Sequence, residues 1–415
     1  MQNNSVPRRT KRCSVKNRAA LLVAALGAAA LPAQADIPGE VVKIGVLTDM
    51  SGSTAENSGK GSLIAAQLAV QDAGGKAGGA PVEIIAADHQ NKSDVGSAIA
   101  RQWLDRDNVA VIVDLPFTHI ALAVAGLAKE RDRAVMVDAA ASSDLTGPAC
   151  SPVLTHWTDD TYALANGTAR ALTKAGGKNW FFITADYAFG QALQRDATAA
   201  ITAEGGRVVG SVRHPLPSAD MSSYITQAMS SGAQVVGLAN VGTDTSNAIK
   251  QAAEFGLGQN GQKLAGLLVF INDVHALGLP AAQGLNVISG FYWDRNDASR
   301  SFAERFRAQA GKPPSKSQAA VYASVRHWLR AVDTTGSISG AATTTAMKAS
   351  PADYFGQMAE VREDGRVMYD LGLYQVKTPQ ESHGAWDYYR QVTQIRAAEA
   401  FRPLAEGGCP MVTGK

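Results

Sequence analysis

The chain has 415 residues, 46% of them hydrophobic and 18% charged, the proportions of an ordinary folded protein and not of a disordered or membrane-embedded one. Its 39 basic and 37 acidic residues nearly balance, yet six basic ones (Arg8, Arg9, Lys11, Arg12, Lys16, Arg18) crowd the beginning of the chain. Setting those six aside leaves 33 against 37, a net charge near −4, which removes the case for a nucleic-acid partner, since such a partner needs a basic face.

The basic segment is followed by an apolar run from Ala19 to Leu31 and by Ala33-Gln34-Ala35. That order predicts a secretory signal peptide cut after Ala35, and the run is too short to span a bilayer. An uncut anchor is the competing reading. Cys13 precedes the apolar run, so it is not a lipidation site. The rest of the chain is long enough for two domains. Its two cysteines, Cys150 and Cys409, are expected to pair in an oxidising compartment.

From Val41 onward, short β-branched runs alternate with helical patterns. Strands are predicted at Val41 to Leu47, Val82 to Ala86, Val109 to Val113 and Ala134 to Val137. Helices are predicted at Gly61 to Ala73, Asp94 to Leu104 and Ile120 to Glu130. Such alternation means βαβ units and a parallel sheet, and the uninterrupted apolar run Val109 to Val113 suits a strand covered on both faces. The rhythm resumes beyond Cys150-Ser151-Pro152 with helix Ala163 to Lys174, strand Trp180 to Thr184, helix Gly190 to Glu204, strands Arg207 to Val212 and Val235 to Leu238, helix Thr245 to Glu254 and strand Leu264 to Phe270. A last section adds helices Phe302 to Ala310 and Gln318 to Val332 and a hairpin turning at Glu363-Asp364-Gly365. The fold class is therefore α/β, with two doubly wound lobes. Ligands of such sheets bind where loops leave the carboxyl ends of the strands.

Catalytic signatures are missing from those loops. Gly59-Lys60 lacks P-loop spacing, with Thr54 and Gly61 at the positions that would need glycine and a hydroxyl. There is no Gly-x-Ser-x-Gly elbow, and the seven histidines never fall at metal-ligand spacing. Neither an enzyme nor a metal or other cofactor is expected.

Several segments, in order, carry a resemblance: Lys43-Ile44-Gly45-Val46-Leu47-Thr48-Asp49-Met50-Ser51-Gly52, then Ala139-Ala140-Ala141-Ser142-Ser143-Asp144-Leu145-Thr146, Tyr187-Ala188-Phe189-Gly190, Ala252-Ala253-Glu254-Phe255-Gly256-Leu257 and Gly284-Leu285. Across nearly the whole mature chain the sequence resembles the periplasmic leucine/isoleucine/valine-binding family, the type I substrate-binding components of branched-chain amino-acid ABC transporters. The resemblance implies two Rossmann-like lobes joined by three crossovers: residues 36–157 plus 290–372 as lobe one, and 158–289 plus 373–415 as lobe two. It implies a monomeric periplasmic protein that closes on a small carboxylate-bearing solute and presents it to a permease.

By position, the resemblance places the solute's carboxylate at Leu115-Pro116-Phe117-Thr118-His119, with the Thr118 hydroxyl and helix amides as donors. A second contact loop falls at Ala139, Ala140 and Ala141. Asn57, Phe189 and Asn240 occupy positions where the family has tyrosines, and Asp273 is the nearest candidate for the acidic partner of an ammonium group. Trp157 and Tyr187, with Phe117 and Phe189, crowd aromatic rings near the crevice, which makes an aromatic or other organic acid a rival ligand. A soluble sensory ligand-binding domain is a further alternative, although no transmembrane or signalling segment follows Cys409.

Overall fold

The structure is a computed structural model that describes Ile37 and residues 41–258 and 261–412. The expected signal peptide lies outside the described residues. The first sheet is assembled from β1 (Val42–Thr48), β2 (Lys76–Ala77), β3 (Ala80–Asp88), β4 (Val109–Asp114), β5 (Ala134–Val137) and β6 (Leu154–His156), in the order β2-β3-β1-β4-β5-β6. All pairings are parallel except the β2–β3 hairpin. Helices α1 (Gly59–Asp72), α2 (Ser93–Asp105) and α3 (Thr118–Glu130) connect the strands.

Every residue of β4 is buried, because alternate side chains enter two different cores. Val111 and Val113 join the cluster that contains Ala65, Ala66 and Val321, and Ile112 joins the one that contains Trp103, Ile120 and Val124. A strand with no solvent face cannot carry polar side chains along its length, so the polar groups collect at its end.

The second sheet follows a helical passage, α4 (Thr161–Leu164), a π turn at Ala165–Ala169 and α5 (Arg170–Lys174). Its strands are β7 (Asn179–Ala185), β8 (Arg207–His214), β9 (Val235–Ala239) and β10 (Lys263–Gly266), all parallel in the order β10-β9-β7-β8. They alternate with α6 (Ala188–Ala203), α7 (Ser222–Ser230) and α8 (Thr243–Glu254). Beyond β10 come α9 (Ile271–Leu277), α10 (Leu279–Ala282) and β11 (Asn286–Ser289), then α11 (Asp297–Ala310), α12 (Lys316–Thr335) and α13 (Gly340–Ala349), which return to the first sheet.

Strands β12 (Ala352–Tyr354), β13 (Gln357–Val361) and β14 (Val367–Met368) form an antiparallel meander that turns at the expected Glu363-Asp364-Gly365. Finally β15 (Leu371–Val376) and β16 (Tyr389–Ile395) pair antiparallel with β11 in the order β11-β15-β16, and α14 (Ala397–Ala400) follows.

Two expectations change. The strand expected at Leu264 to Phe270 ends at Gly266. Leu267, Leu268, Val269 and Phe270 are apolar because they are buried at the approach to α9, not because they continue the sheet. The tail, expected with lobe two, returns to lobe one after β16. Cys409 is disulfide-bonded to Cys150, with their Cα atoms 5.6 Å apart. The Arg402 carbonyl accepts from Arg362 at 2.8 Å, and Phe401 lies under the buried Arg366 guanidinium at 4.5 Å.

The bridge joins residues 259 apart in sequence, so cutting it restores much chain entropy to the unfolded state. Cys409→Ser is expected to lower stability by about 2–5 kcal/mol, read as a fall in denaturation midpoint with unchanged far-UV dichroism. Labelling of two free thiols in the native protein without reductant would refute the pairing.

Candidate functional site

Local backbone chemistry positions the loops at the top of the first sheet. After β1, the buried Asp49 carboxylate accepts from Gly52 N (2.8 Å), Thr54 N (2.9 Å) and Thr54 Oγ1 (2.7 Å), which folds the loop back and points Asn57 toward the second lobe. At the end of β4, its last residue Asp114 and the next, Leu115, both adopt left-handed backbone, φ 80° and 57°. Two such non-glycine residues in succession store about 1–3 kcal/mol each, and strain of this kind collects where geometry serves function. Asp114 is held by burial at a raised pKa of about 7, despite the Thr48, Ser62 and Ser58 hydroxyls around it.

The strained turn delivers the start of α3. Thr118 is its first residue, 1% exposed, and its hydroxyl has no protein hydrogen-bond partner. The first amides of a helix lack intrahelical acceptors, and the helix dipole adds positive potential there. An anion is the complementary group.

Across the cleft, the second lobe presents Tyr187, Asn240, Asp244, Asn272 and Asp273. Tyr187 precedes α6 and sets its ring edge-on to His119 (centroids 5.6 Å, 88°) and Phe117 (6.2 Å, 61°). Asn240 is locked within its own lobe, accepting from Thr245 Oγ1 at 2.7 Å and lying 3.4 Å from His214 Nε2. Asp244 accepts from Ser218 N at 3.1 Å, while its other oxygen has no hydrogen-bond partner in the protein. Burial raises its pKa to about 6, against the Ser218 amide.

Asp273, in the first turn of α9, accepts from Phe270 N at 2.8 Å and, across the cleft, from Asn57 Nδ2 at 3.4 Å. The neighbouring Asn272 Nδ2 donates to Glu56 O (2.6 Å) and Asn57 Oδ1 (3.0 Å). Burial lifts the Asp273 pKa to about 7, against the Phe270 amide, the Asn57 side chain and the Lys316 charge. The lobes also meet backbone to backbone at Gly242, φ 64°, where the next residue's amide, Thr243 N, donates to Ser53 O at 3.2 Å. A Cβ at 242 would stand 2.2 Å from that carbonyl oxygen. Beside this contact a cleft of 570 Å³ opens at the rim, lined by Ser53, Asn57, Thr243, Asn247, Asn272 and Asp273.

The structure thus brings Asn57 to Asp273, and Phe117 and His119, on either side of Thr118 in sequence, against Tyr187. Other residues predicted as contacts lie elsewhere. Leu115 and Trp157 are wholly buried in the cores, and Trp157 donates to Thr155 Oγ1 (2.9 Å) and packs on His327. Phe189 also belongs to a core, 2% exposed, and only brushes Tyr187. Phe117 is fully buried and belongs to a hydrophobic core. Pro116 is buried as well. The amides of Ala139 and Ala140 are spent on Asp114 O and Leu115 O, and Ala141 O accepts from Thr161 N at 2.7 Å, so this loop braces the turn. Sequence reasoning missed Asp244 and Asn272. Asp244 carried no signal beyond that of an acid just ahead of the helix expected at Thr245 to Glu254, and Asn272 lay in the loop just beyond the strand expected at Leu264 to Phe270.

Among the described residues no three His, Cys, Asp or Glu side chains could hold a metal ion, and no helix is long and apolar enough to cross a membrane.

Comparison with known proteins agrees with this architecture. The model of the periplasmic binding protein family matches residues 41–384. The chain belongs to that family, whose members are solute-binding proteins of ABC transporters and not enzymes. It is similar to a periplasmic binding protein of Burkholderia mallei, 45% identical, covering 90% of this chain and 99% of the other with a TM-score of 0.88. A branched chain amino acid ABC transporter periplasmic ligand-binding protein of Burkholderia xenovorans is 38% identical over 89% and 99% of the two chains, TM-score 0.79. The Leu/Ile/Val-binding protein homolog 6 of Brucella abortus is 29% identical over 72% of this chain and 76% of its own. A Rhodopseudomonas palustris solute-binding protein in complex with benzoate shares the fold at 21% identity, TM-score 0.78 over 89% and 99% of the chains.

The pKa of Asp273 makes a stability prediction. Between its ordinary value of 3.8 and about 7 the folded protein keeps a proton that the unfolded chain has released. This stabilising contribution is complete below the lower value and is lost as pH rises through the upper one. The melting temperature of Asp273→Asn minus that of the wild type, both without solute, should therefore grow from pH 4 to pH 7 and then level off. A difference that stays flat across this range would contradict the assignment.

Proposed function

We propose that this protein is exported to the periplasm, its signal peptide removed after Ala35, and that as a monomer it carries a small amino-acid-type carboxylate to an ABC permease. Lobe one (36–157 plus 290–372, with the C-terminal tail) and lobe two (158–289 plus about 373–395) hinge at three crossovers and close on the solute. Hinge closure of this sort is the motion available to two rigid α/β bodies with few connecting strands. The observation that carries the reading is the cross-cleft contact of Asn57 with Asp273. It sets a buried carboxylate against only one weak side-chain donor, where an ammonium group would complete it. The Thr118 hydroxyl and the start of α3 serve the opposite charge of the same solute. The identity of the Burkholderia xenovorans relative agrees with this choice.

A second reading, an aromatic carboxylate, is favoured by the Phe117–Tyr187–His119 ring cluster, which offers faces and edges for stacking. Both readings use the Thr118 end of the site; only the first uses Asp273.

Calorimetric titration with leucine, isoleucine, valine, benzoate and 4-hydroxybenzoate separates them. Leucine-type binding is expected, and Thr118→Ala should weaken it by roughly 1–3 kcal/mol, the loss of one charge-assisted hydrogen bond. Asp273→Asn should abolish amino-acid binding. Unchanged leucine affinity in Asp273→Asn, or heats from the benzoates alone, would move the assignment to the aromatic reading.

A further inference from the structure

The start of α12 touches both the cross-cleft loop and the connections between lobes. Ser315, its N-cap, donates from Oγ to Asn57 O (2.6 Å), and Gln318 Nε2 donates to Glu56 O (3.2 Å) and Ser58 O (3.0 Å). Ser315 and Gln318 also cap one another, so this turn is rigid. Lys316, between them, reaches the opposite way. Its ammonium group, on a side chain 4% exposed, pairs with Asp159 at 2.5 Å, donates to Ile288 O at 3.2 Å and sits 5.1 Å from the Phe270 ring centre.

Asp159 belongs to the first crossover. Its second oxygen accepts from Gly290 N, 3.4 Å away, in the second crossover. Ile288 is wedged from its other side by Gly167 of the π turn, where a Cβ would stand 2.2 Å from Ile288 Cδ1. The third crossover is tied in by Tyr369, whose hydroxyl donates to Trp157 O at 2.6 Å. Phe270, below the ammonium group, supplies the amide that holds Asp273.

A buried ion pair is a poor device for stability, because the cost of desolvating both charges consumes most of their attraction. Its value lies in specifying one arrangement. This pair, with its two backbone contacts, fixes one lobe-one helix to two crossover segments at once, and the same turn grips the loop that meets Asp273.

We propose that Lys316 is a positioning residue of the hinge: through Asp159 and the Ile288 carbonyl it sets the resting angle between the lobes and couples the Asn57 loop to both crossovers. The inference rests on the two-lobe closure proposed above and is independent of which solute is carried.

Solution X-ray scattering of the protein without any solute tests it, so an error in solute identity leaves the result untouched. Lys316→Met combined with Asp159→Asn removes both charges and strands no buried ion. Lys316→Arg, which keeps the charge on a differently shaped head, is the second variant. Both are expected to melt as single cooperative transitions and to show a shifted radius of gyration and a broadened distance distribution, the double variant more than Lys316→Arg. If the double variant fails to fold, Lys316→Arg decides alone. A purely structural role would lower the melting temperature and leave the scattering curve superimposable on the wild type, and that result would overturn the proposal.

Discussion

The structure turns on buried polar groups near the lobe boundary that the protein leaves incompletely satisfied. The Thr118 hydroxyl has no protein partner, and one Asp244 oxygen has no hydrogen bond. Asp273 meets the opposite lobe through a single long contact. Each under-satisfied buried group costs about 1–3 kcal/mol, so in the proposed closure a solute that supplies the missing partners is favoured over an empty cleft. An apolar interface of the same shape would close regardless of solute and carry no information.

The remainder of the fold holds those few atoms in place. Strands buried on both faces leave the polar side chains at their carboxyl ends, where the loops of the two sheets meet. Asp49 folds the first loop, the strained Asp114–Leu115 turn aims α3, and Gly242 permits backbone-to-backbone approach. After β16 the chain runs back beside the third crossover. That passage is zipped to the third by Asp370, which accepts from Gln394 Nε2 and Ala397 N, both at 2.8 Å. The Cys150–Cys409 bond then anchors the tail on lobe one. The tail therefore runs beside an existing pivot.

The alternation of strands and helices was legible in the sequence because burial on both faces demands it: the run expected at Val109 to Val113 is a strand over Val109–Asp114, and Ala134 to Val137 agrees at both ends. Apolar content alone could not separate a strand from a buried approach to a helix, which is why Leu267 to Phe270 misled. At the site, residue type indicated chemistry but not direction. Asn57 and Asp273 meet across the lobe boundary, whereas Leu115, Trp157 and Phe189, equally near strand ends, point into the cores. The direction is set by packing partners hundreds of residues away, such as His327 against Trp157. Asn272 and Asp244 acquire meaning only when the second lobe lies against the first.

If a solute ammonium completes Asp273, binding must convert a carboxyl that burial holds near pKa 7 into a carboxylate. The most direct measurement is calorimetric titration of leucine at pH 6.5 in two buffers of different ionisation heat. The account predicts a buffer-dependent enthalpy that reports proton release and fades above pH 8; strong binding whose heat is the same in both buffers at pH 6.5 would contradict it.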